Sequence, residues 1–537
     1  MGTSLAEMAY INHPLLKPGK LEFRSYQTDL AIEASQDSSL IVLPTGMGKT
    51  PVLLQVIIAR WDDVDKILIM APTRPLVEQH EGFFQAMLEP SHLVGYVHGL
   101  IPPTQRAMIY DEKKIIVATP QTIRHDIEGG ILSPQMFGIV CYDEAHRGTG
   151  EYDYTHVAAL FRKAESKALM IGMTASPGTD QATVDDVCKN LGLHKRLVKT
   201  KDDPDVVEYI QPTPEEVVRV PQDPMVIEPV KRLRRLAQKT YDRLNESGRP
   251  DIFRDRLGDT TSKSRLLELG KTVSSQIKMA SNPRMARNAK PNPKIYMIAR
   301  DLAIIVKLRH AIEMGETQGR IPMYDYLLKL REGDKKADAM IVTSDEYKLS
   351  LRQLSASMFR DGTNPDPMTP KLRMLTQVVL GELECDPAAK ILVFTTYRNA
   401  LEVVFRHLEK VGSGVVRPAR FIGQADGRSN RGMSQQVQRK TVQEFREGKF
   451  NLLIATSVGE EGIDIPGCNL VVFHEPPNSA IRHIQRRGRT GRFEAGRCVI
   501  LVAEKSSDEV YLQMNRRGEK AMQTTLTSST RQEMIGA

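Results

Sequence analysis

Ser39-Leu-Ile-Val-Leu-Pro-Thr-Gly-Met-Gly-Lys-Thr50 runs from an apolar stretch into a turn with two glycines, then into a lysine and a threonine. The pattern is that of a strand feeding a phosphate-binding loop at a helix N-terminus. Within Pro44, Thr45, Gly46, Met47 and Gly48, the glycines let the backbone turn tightly and aim its N–H groups at phosphate oxygens. Lys49 adds a positive charge at the β and γ phosphates, and the Thr50 hydroxyl can ligate Mg2+. Pro51 costs no hydrogen bond in a first helical turn, and Val52-Leu-Leu-Gln-Val-Ile-Ile-Ala59 suits a buried helix. Leu43 stands where such loops usually begin with Gly or Ala, so the match is to the variant Pro-Thr-Gly-x-Gly-Lys-Thr.

At 537 residues the chain exceeds one core and suggests roughly three or four domains of ~150 residues. A formal charge of +8 and a pI near 9.0 favour an acidic partner, nucleic acid being the commonest, over a merely solvated basic surface. The five cysteines include no C-x-x-C pair, which argues against a zinc site or a disulfide framework. No apolar run approaches ~18 to 20 residues and no basic-then-apolar leader opens the chain, so a soluble intracellular protein, with no membrane partner, is expected.

Leu21-Glu-Phe-Arg-Ser-Tyr-Gln27 opens the first domain. The Gln27 amide presents a donor and an acceptor together, matching the edge of adenine, and Arg24 or Phe23 can cover the ring face. A strand at Lys66–Ala71 runs into Pro72-Thr-Arg-Pro75, a second at Lys114–Thr119 ends in Thr119-Pro120, and a third at Phe137–Tyr142 delivers Asp143-Glu-Ala-His146. Apolar strands alternating with helical stretches predict an α/β fold with a parallel sheet, whose ligands bind at the strands' carboxyl ends. There Asp143 can hold Mg2+ through water, and Glu144 can orient or deprotonate the water attacking the γ-phosphate. A further strand, Ala168–Met173, ends in Thr174-Ala-Ser176, whose hydroxyls can relay between the nucleotide and the other face.

The first domain is therefore taken as residues 1–204. From 205 to 365 charged helical patterns take over, predicting an inserted helical domain. Its Lys278, Arg284, Arg287, Lys290 and Lys294 form either a solvated spacer face or a clamp on a phosphate backbone. Residues 366–510 return to strand-helix alternation, with strands at Lys390–Thr396, Arg420–Gly423, Phe450–Thr456 and Asn469–Phe473; a tail, 511–537, follows. This second domain lacks a phosphate loop but carries Gln485-Arg-Arg-Gly-Arg-Thr-Gly-Arg492. That set is either a basic patch or a source of arginine fingers, Arg489 and Arg492, reaching the triphosphate on the first domain.

The order of these motifs resembles the superfamily 2 helicases, in which two RecA-like domains each form one wall of an ATP site. Phe421-Ile-Gly-Gln-Ala-Asp-Gly427, Arg431-Gly-Met-Ser434, Ser457-Val-Gly-Glu-Glu-Gly-Ile-Asp-Ile-Pro466 and Ser479–Arg492 are similar to the archaeal Hef helicases and the related Fanconi-anaemia M-type DNA translocases. The resemblance implies a thumb-like helical insert and ATP-driven movement along nucleic acid, with ATP and Mg2+ as cofactors. It also implies branched DNA as partner, forks and four-way junctions in repair or replication-fork processing, in an archaeal-like cytoplasm close to the nucleoid. By resemblance, Thr73, Arg74, Thr119, Pro120, Thr396 and Thr456 face the nucleic acid, Asp464 lies near the ribose, and Gln485 couples the domains with Thr174 and Ser176. No Glu-Arg-Lys nuclease signature appears, so no cleavage is expected. Two rivals remain: a duplex-RNA-stimulated ATPase, and a passive clamp on branched nucleic acid without turnover. A clamp has no use for the whole set Lys49, Glu144, Arg489 and Arg492.

Overall fold

The computed structural model describes residues 10–178, 180–209, 214–247, 253, 255–280, 293–358, 368–412, 414–423, 432–456, 465–477 and 496–535, with side chains as far as 525. Strands β1 (Ser39–Val42), β2 (Lys66–Met70), β3 (Val94–Val97), β4 (Ile115–Ala118), β5 (Phe137–Asp143), β6 (Leu169–Thr174) and β7 (Lys195–Val198) build one sheet. A second sheet is built by β8 (Glu215–Val220), β9 (Ile391–Phe394), β10 (Pro418–Phe421), β11 (Leu452–Ala455), β12 (Leu470–Phe473) and β13 (Arg497–Ala503). The strand orders are β3-β4-β2-β5-β6-β1-β7 and β10-β11-β9-β12-β13-β8. The pairings are parallel in both sheets.

Strands covered by helices on both faces read as unbroken apolar runs, and the period of two then divides them between two cores. In β1 and β2, Ile41, Ile67 and Ile69 enter one core, while Leu40, Val42, Leu68 and Met70 enter the other. In β9, Ile391 and Val393 face one side and Leu392 and Phe394 the opposite one. The α/β fold with two parallel sheets and a helical insertion expected from the sequence is what the chain adopts.

The segment from residue 205 departs from the expected all-helical reading. Glu215–Val220 forms β8, the edge of the second sheet, pairing with β13 from Cys498↔Glu215 to Ala503↔Val220. The chain thus enters the second sheet before the helical insertion and returns to it through helix Pro370–Cys385, whose Leu372, Leu375 and Val379 join that domain's core. Edge strands keep charged side chains where one face meets solvent, so Glu-Glu-Val-Val-Arg-Val does not look like a buried strand.

The insertion consists of helices Pro224–Glu246, Lys263–Ala280, Pro293–Gln318, Arg320–Arg331, Lys336–Thr343 and Asp345–Met358 around their own core, including Leu233, Tyr241, Ile305, Leu308 and Leu327. Its root is tied down by buried ions. Asp223 caps helix Pro224–Glu246 through Met225 N (3.1 Å) and accepts from Arg320 Nε (2.8 Å). Lys371 Nζ donates to Thr317 O (3.0 Å) and pairs with Asp508 Oδ2 (2.6 Å) on helix Ser507–Ile535. That last helix begins before residue 511 and is continuous with the second domain, its Leu512 lying in the domain's core. No helix among the described residues is long and apolar enough to cross a membrane.

Candidate active site

Adjacent strands bring the predicted catalytic groups together. β6 lies between β1 and β5, so the loop after β1, Thr174 at the end of β6 and Asp143 at the end of β5 share one carboxyl edge. Leu43 N donates to Thr174 O (3.1 Å), which joins the loop entrance to β6. Gly46 (φ +85°) and Gly48 (φ +83°) occupy the left-handed region that glycine visits without cost, and helix Lys49–Ala59 starts directly after them. Lys49 and Thr50 thus open the helix at the end where N–H groups point outward, and Met47 N closes the turn onto Pro44 O (3.2 Å).

Gln27 is only 3% exposed, and its Nε2 donates to Met47 O (3.0 Å). The amide expected to meet a purine edge is here bonded to the phosphate loop itself. Arg24 is fixed beside it, with Nη2 3.0 Å from Glu22 Oε2 and the guanidinium carbon 5.0 Å from the centre of the Tyr209 ring.

Asp143 is buried at 6% exposure and receives a hydrogen bond at Oδ2 from His80 Nε2 (2.9 Å). Burial pushes its carboxyl up, but the His80 imidazole, the Lys49 charge and the Glu144 backbone N–H together hold it below the usual carboxylate range. The group is therefore an anion at neutral pH. Glu144 follows in the left-handed conformation (φ +52°, ψ +50°), which costs a non-glycine residue about 1 kcal/mol or more and is typical of functional turns. Its Oε2 is 3.3 Å from His146 Nδ1 without a hydrogen bond's alignment, while His146 Nδ1 is 3.0 Å from Thr174 Oγ1. Thr174 Oγ1 in turn accepts from Ser176 N (3.1 Å).

Buried hydroxyls and carboxylates without partners are rare in folded proteins, and a missing ligand or water is one explanation for them. Thr45 Oγ1, Glu144 Oε2 and Ser176 Oγ all have no hydrogen-bond partner among the described residues. Thr45 lies in the phosphate loop and Glu144 in the acidic tetrad, so a hydroxyl is open to donate to a phosphate oxygen and a carboxylate to accept from a water. Asp143 and Thr50 suit Mg2+, which usually arrives on phosphates and takes only one or two protein oxygens.

The expected nucleic-acid residues lie at the same edges. Thr73 stands at the N-terminus of helix Arg74–Met87 without capping it, its Oγ1 also buried and without a hydrogen-bond partner among the described residues. Arg74 is near enough for its charge, after burial, to lower the His98 pKa. Thr119 Oγ1 is 2.8 Å from Thr122 Oγ1, and Pro120 opens helix Pro120–Glu128. In the second domain Thr456 N donates to Phe421 O (3.1 Å), and Glu475 accepts from the Thr396 backbone N–H and from Thr395 Oγ1 (3.2 Å). Lys278 near the end of Lys263–Ala280 and Lys294 at the start of Pro293–Gln318 are both exposed. Asp464, Gln485, Arg489, Arg492, Arg284, Arg287 and Lys290 lie outside the described residues.

His80, Tyr154 and Glu475 escaped the sequence reading. Tyr154 OH lies 2.6 Å from Asp143 O and 3.1 Å from Met70 O, bridging the ends of β5 and β2. A histidine or tyrosine on an amphipathic helix carries no local signal. Glu475, after β12, is the more legible one, being an acid at a strand's carboxyl end.

Residues 20–179 match the model of the type III restriction enzyme res subunit, and residues 370–494 that of the helicase conserved C-terminal domain. A protein of Methanocaldococcus jannaschii named as an ATP-dependent RNA helicase is 34% identical over 524 residues, 96% of this chain and 62% of its own length. The ATP-dependent DNA helicase mph1 of Aspergillus fumigatus is 30% identical over 529 residues, 95% of this chain and 46% of its own length. The chain thus spans less than two thirds of either relative. The crystal structure of the Pyrococcus furiosus Hef helicase domain superposes with a TM-score of 0.65 at 34% identity, covering 92% of this chain and 98% of that one. A solved structure at 34% identity, matched over 98% of its length, fixes the family. The chain belongs to the superfamily 2 helicases of the Hef and Mph1 type, of which it carries the ATP-dependent helicase part.

Proposed function

We propose that this helicase moves along DNA by hydrolysing ATP with Mg2+ and acts on branched DNA, forks and four-way junctions, in repair or replication-fork processing. The observation that carries the reading is the juxtaposition on one sheet edge of a hydrolytic half-site with unpartnered polar atoms and the turns at Thr73-Arg74 and Thr119-Pro120.

In this reading the backbone N–H groups of Gly46, Gly48 and Lys49 bind the phosphates, Lys49 pairs with the β and γ oxygens, and Arg24 and Gln27 hold the base. Gln27 keeps its bond to Met47 O and presents its Oε1 to the base. Asp143 and Thr50 would hold Mg2+, which when bound would neutralise charge on the phosphate oxygens. Glu144 orients or deprotonates the attacking water from a backbone held in the left-handed conformation. Thr174, bonded to Ser176 N and to His146, and Ser176 pass the state of the phosphates toward the domain boundary with Gln485. Arg489 and Arg492 complete the site from the second domain, and Asp464 receives the ribose. Thr73, Arg74, Thr119, Pro120, Thr396 and Thr456 grip the backbone, which gives affinity without sequence preference. The insertion, rooted on the second domain, carries Lys278, Arg284, Arg287, Lys290 and Lys294 to a second duplex arm.

The relative named as an RNA helicase supports a second reading, in which duplex RNA is the stimulant. The test is ATP turnover with single-stranded, linear duplex, forked and four-way DNA beside the matching RNAs. Turnover highest on forked or four-way DNA supports the proposal, and highest on duplex RNA favours the second reading. Replacing the five basic residues of the insertion with Ala removes the fork preference and flattens the logarithmic salt slope, by about 0.9 for each lost phosphate contact.

A further inference from the structure

Helix Arg74–Met87 has two ends of different character. Thr73 and Arg74, at its start, stand on the edge read as the nucleic-acid grip, while His80, nearly two turns further, is buried at 6% exposure and donates to Asp143 Oδ2 at 2.9 Å. A helix of this length is stiff, so a displacement of its first turn carries the imidazole with it. The same strand ends are tied a second time. Tyr154 OH touches Asp143 O and Met70 O, so the strand that feeds Thr73-Arg74 and the strand that ends in Asp143 share one hydroxyl. Asp143 has two carboxylate oxygens, and His80 takes Oδ2, which leaves acceptor capacity on the carboxylate for a cation or its water. Such a bond from an imidazole N–H fixes a ligating carboxylate's orientation, and loss of partners of this kind typically weakens metal affinity or activity 10- to 100-fold.

We propose that His80 is a positioning residue that couples the nucleic-acid grip to the Mg2+ site, holding Asp143 in register for the cation when helix Arg74–Met87 is seated on a backbone. The inference rests on the reading of Asp143 as the Mg2+ carboxylate. Nothing in the bond pattern asks His80 to touch either ligand. Its influence passes through Asp143 alone.

The test compares two variants of the full chain. His80→Gln keeps an N–H donor within reach of Asp143, while His80→Leu fills the space without one; His80→Met, which bends into the same volume, serves if the leucine variant does not fold. Three readouts are taken: the Mg2+ concentration for half-maximal ATP turnover, Mn2+ binding in the presence of ADP followed by electron paramagnetic resonance, and the ratio of turnover with and without a forked DNA. The donorless variant is expected to need about 10-fold more Mg2+ or beyond, to bind Mn2+ correspondingly more weakly, and to lose most of its stimulation by DNA, with DNA affinity within about twofold of wild type. His80→Gln recovers most of each. Wild-type metal requirement and stimulation in the donorless variant overturn the proposal, as does a glutamine variant as impaired as the donorless one. Asp143→Asn separates the two layers: if it still turns over ATP normally, the Mg2+ reading fails, whereas if it is inactive and His80→Leu is normal, only the coupling fails.

Discussion

Gly48→Ala is the substitution whose effect the geometry specifies most closely. Gly48 sits at φ +83°, ψ +49°, where an L-residue is strained by about 1 to 2 kcal/mol. An added Cβ would also collide with Gln27 Nε2 and press on Gln27 Cδ and Pro51 Cγ at 3.3 Å. The glutamine amide is the far end of a flexible side chain, so it yields, giving up its 3.0 Å bond to Met47 O at about 1 kcal/mol. The sum, about 2 to 3 kcal/mol, depopulates the phosphate-binding turn and weakens ATP affinity roughly 30- to 150-fold. Gly46→Ala is the internal control. It shares the strain, with φ +85°, but an added Cβ meets nothing within 4 Å, so about 1 to 2 kcal/mol and a loss of roughly 5- to 30-fold are expected. Titration of each variant with a fluorescent ATP analogue, beside a thermal melt, gives the comparison. If Gly48→Ala binds no more weakly than Gly46→Ala while both remain folded, the contact with Gln27 is not part of the binding conformation and the reasoning fails.

Arg489→Ala or Arg492→Ala is expected to leave ATP affinity largely intact and to cut turnover roughly 10³-fold, as removal of an arginine finger does; weakened DNA binding with normal basal turnover would instead make this a basic patch. Glu475 is buried, which pushes its carboxyl up, but His474, Lys371 and the Thr396 backbone N–H outweigh burial and hold it down to about 2. A depressed carboxyl contributes stability in full above its ordinary value of 4.5 and loses it as pH falls toward about 2. Urea unfolding at pH 5, 4 and 3 should therefore show a loss that Glu475→Gln makes shallower, and identical slopes for the two proteins would count against it.

The parallel-sheet core was legible because β1, β2, β4, β5, β9, β11 and β12 are buried on both faces and read as apolar runs. What escaped is largely edge. Lys195–Val198 and Glu215–Val220 each open with two consecutive charged residues, and Val94–Val97 holds a glycine, so none stands out from a loop. Arg497–Ala503 is a different case, a plain apolar run that was legible and passed over. In the site, Lys49, Asp143 and Glu144 were readable because their motifs are contiguous. His80 was not, because its bond to Asp143 spans 63 positions and only the fold closes that distance. The tie from Gln27 to Met47 is likewise a matter of three dimensions, 20 positions apart in sequence.

Strand displacement from a labelled fork tests ATP-driven movement along branched DNA. The wild-type chain is expected to remodel the fork with Mg2+ and ATP and to stop when ATP is replaced by a non-hydrolysable analogue, while Glu144→Gln binds the fork without remodelling it. Remodelling that proceeds equally with the analogue, or by Glu144→Gln at the wild-type rate, would contradict it and leave a passive clamp.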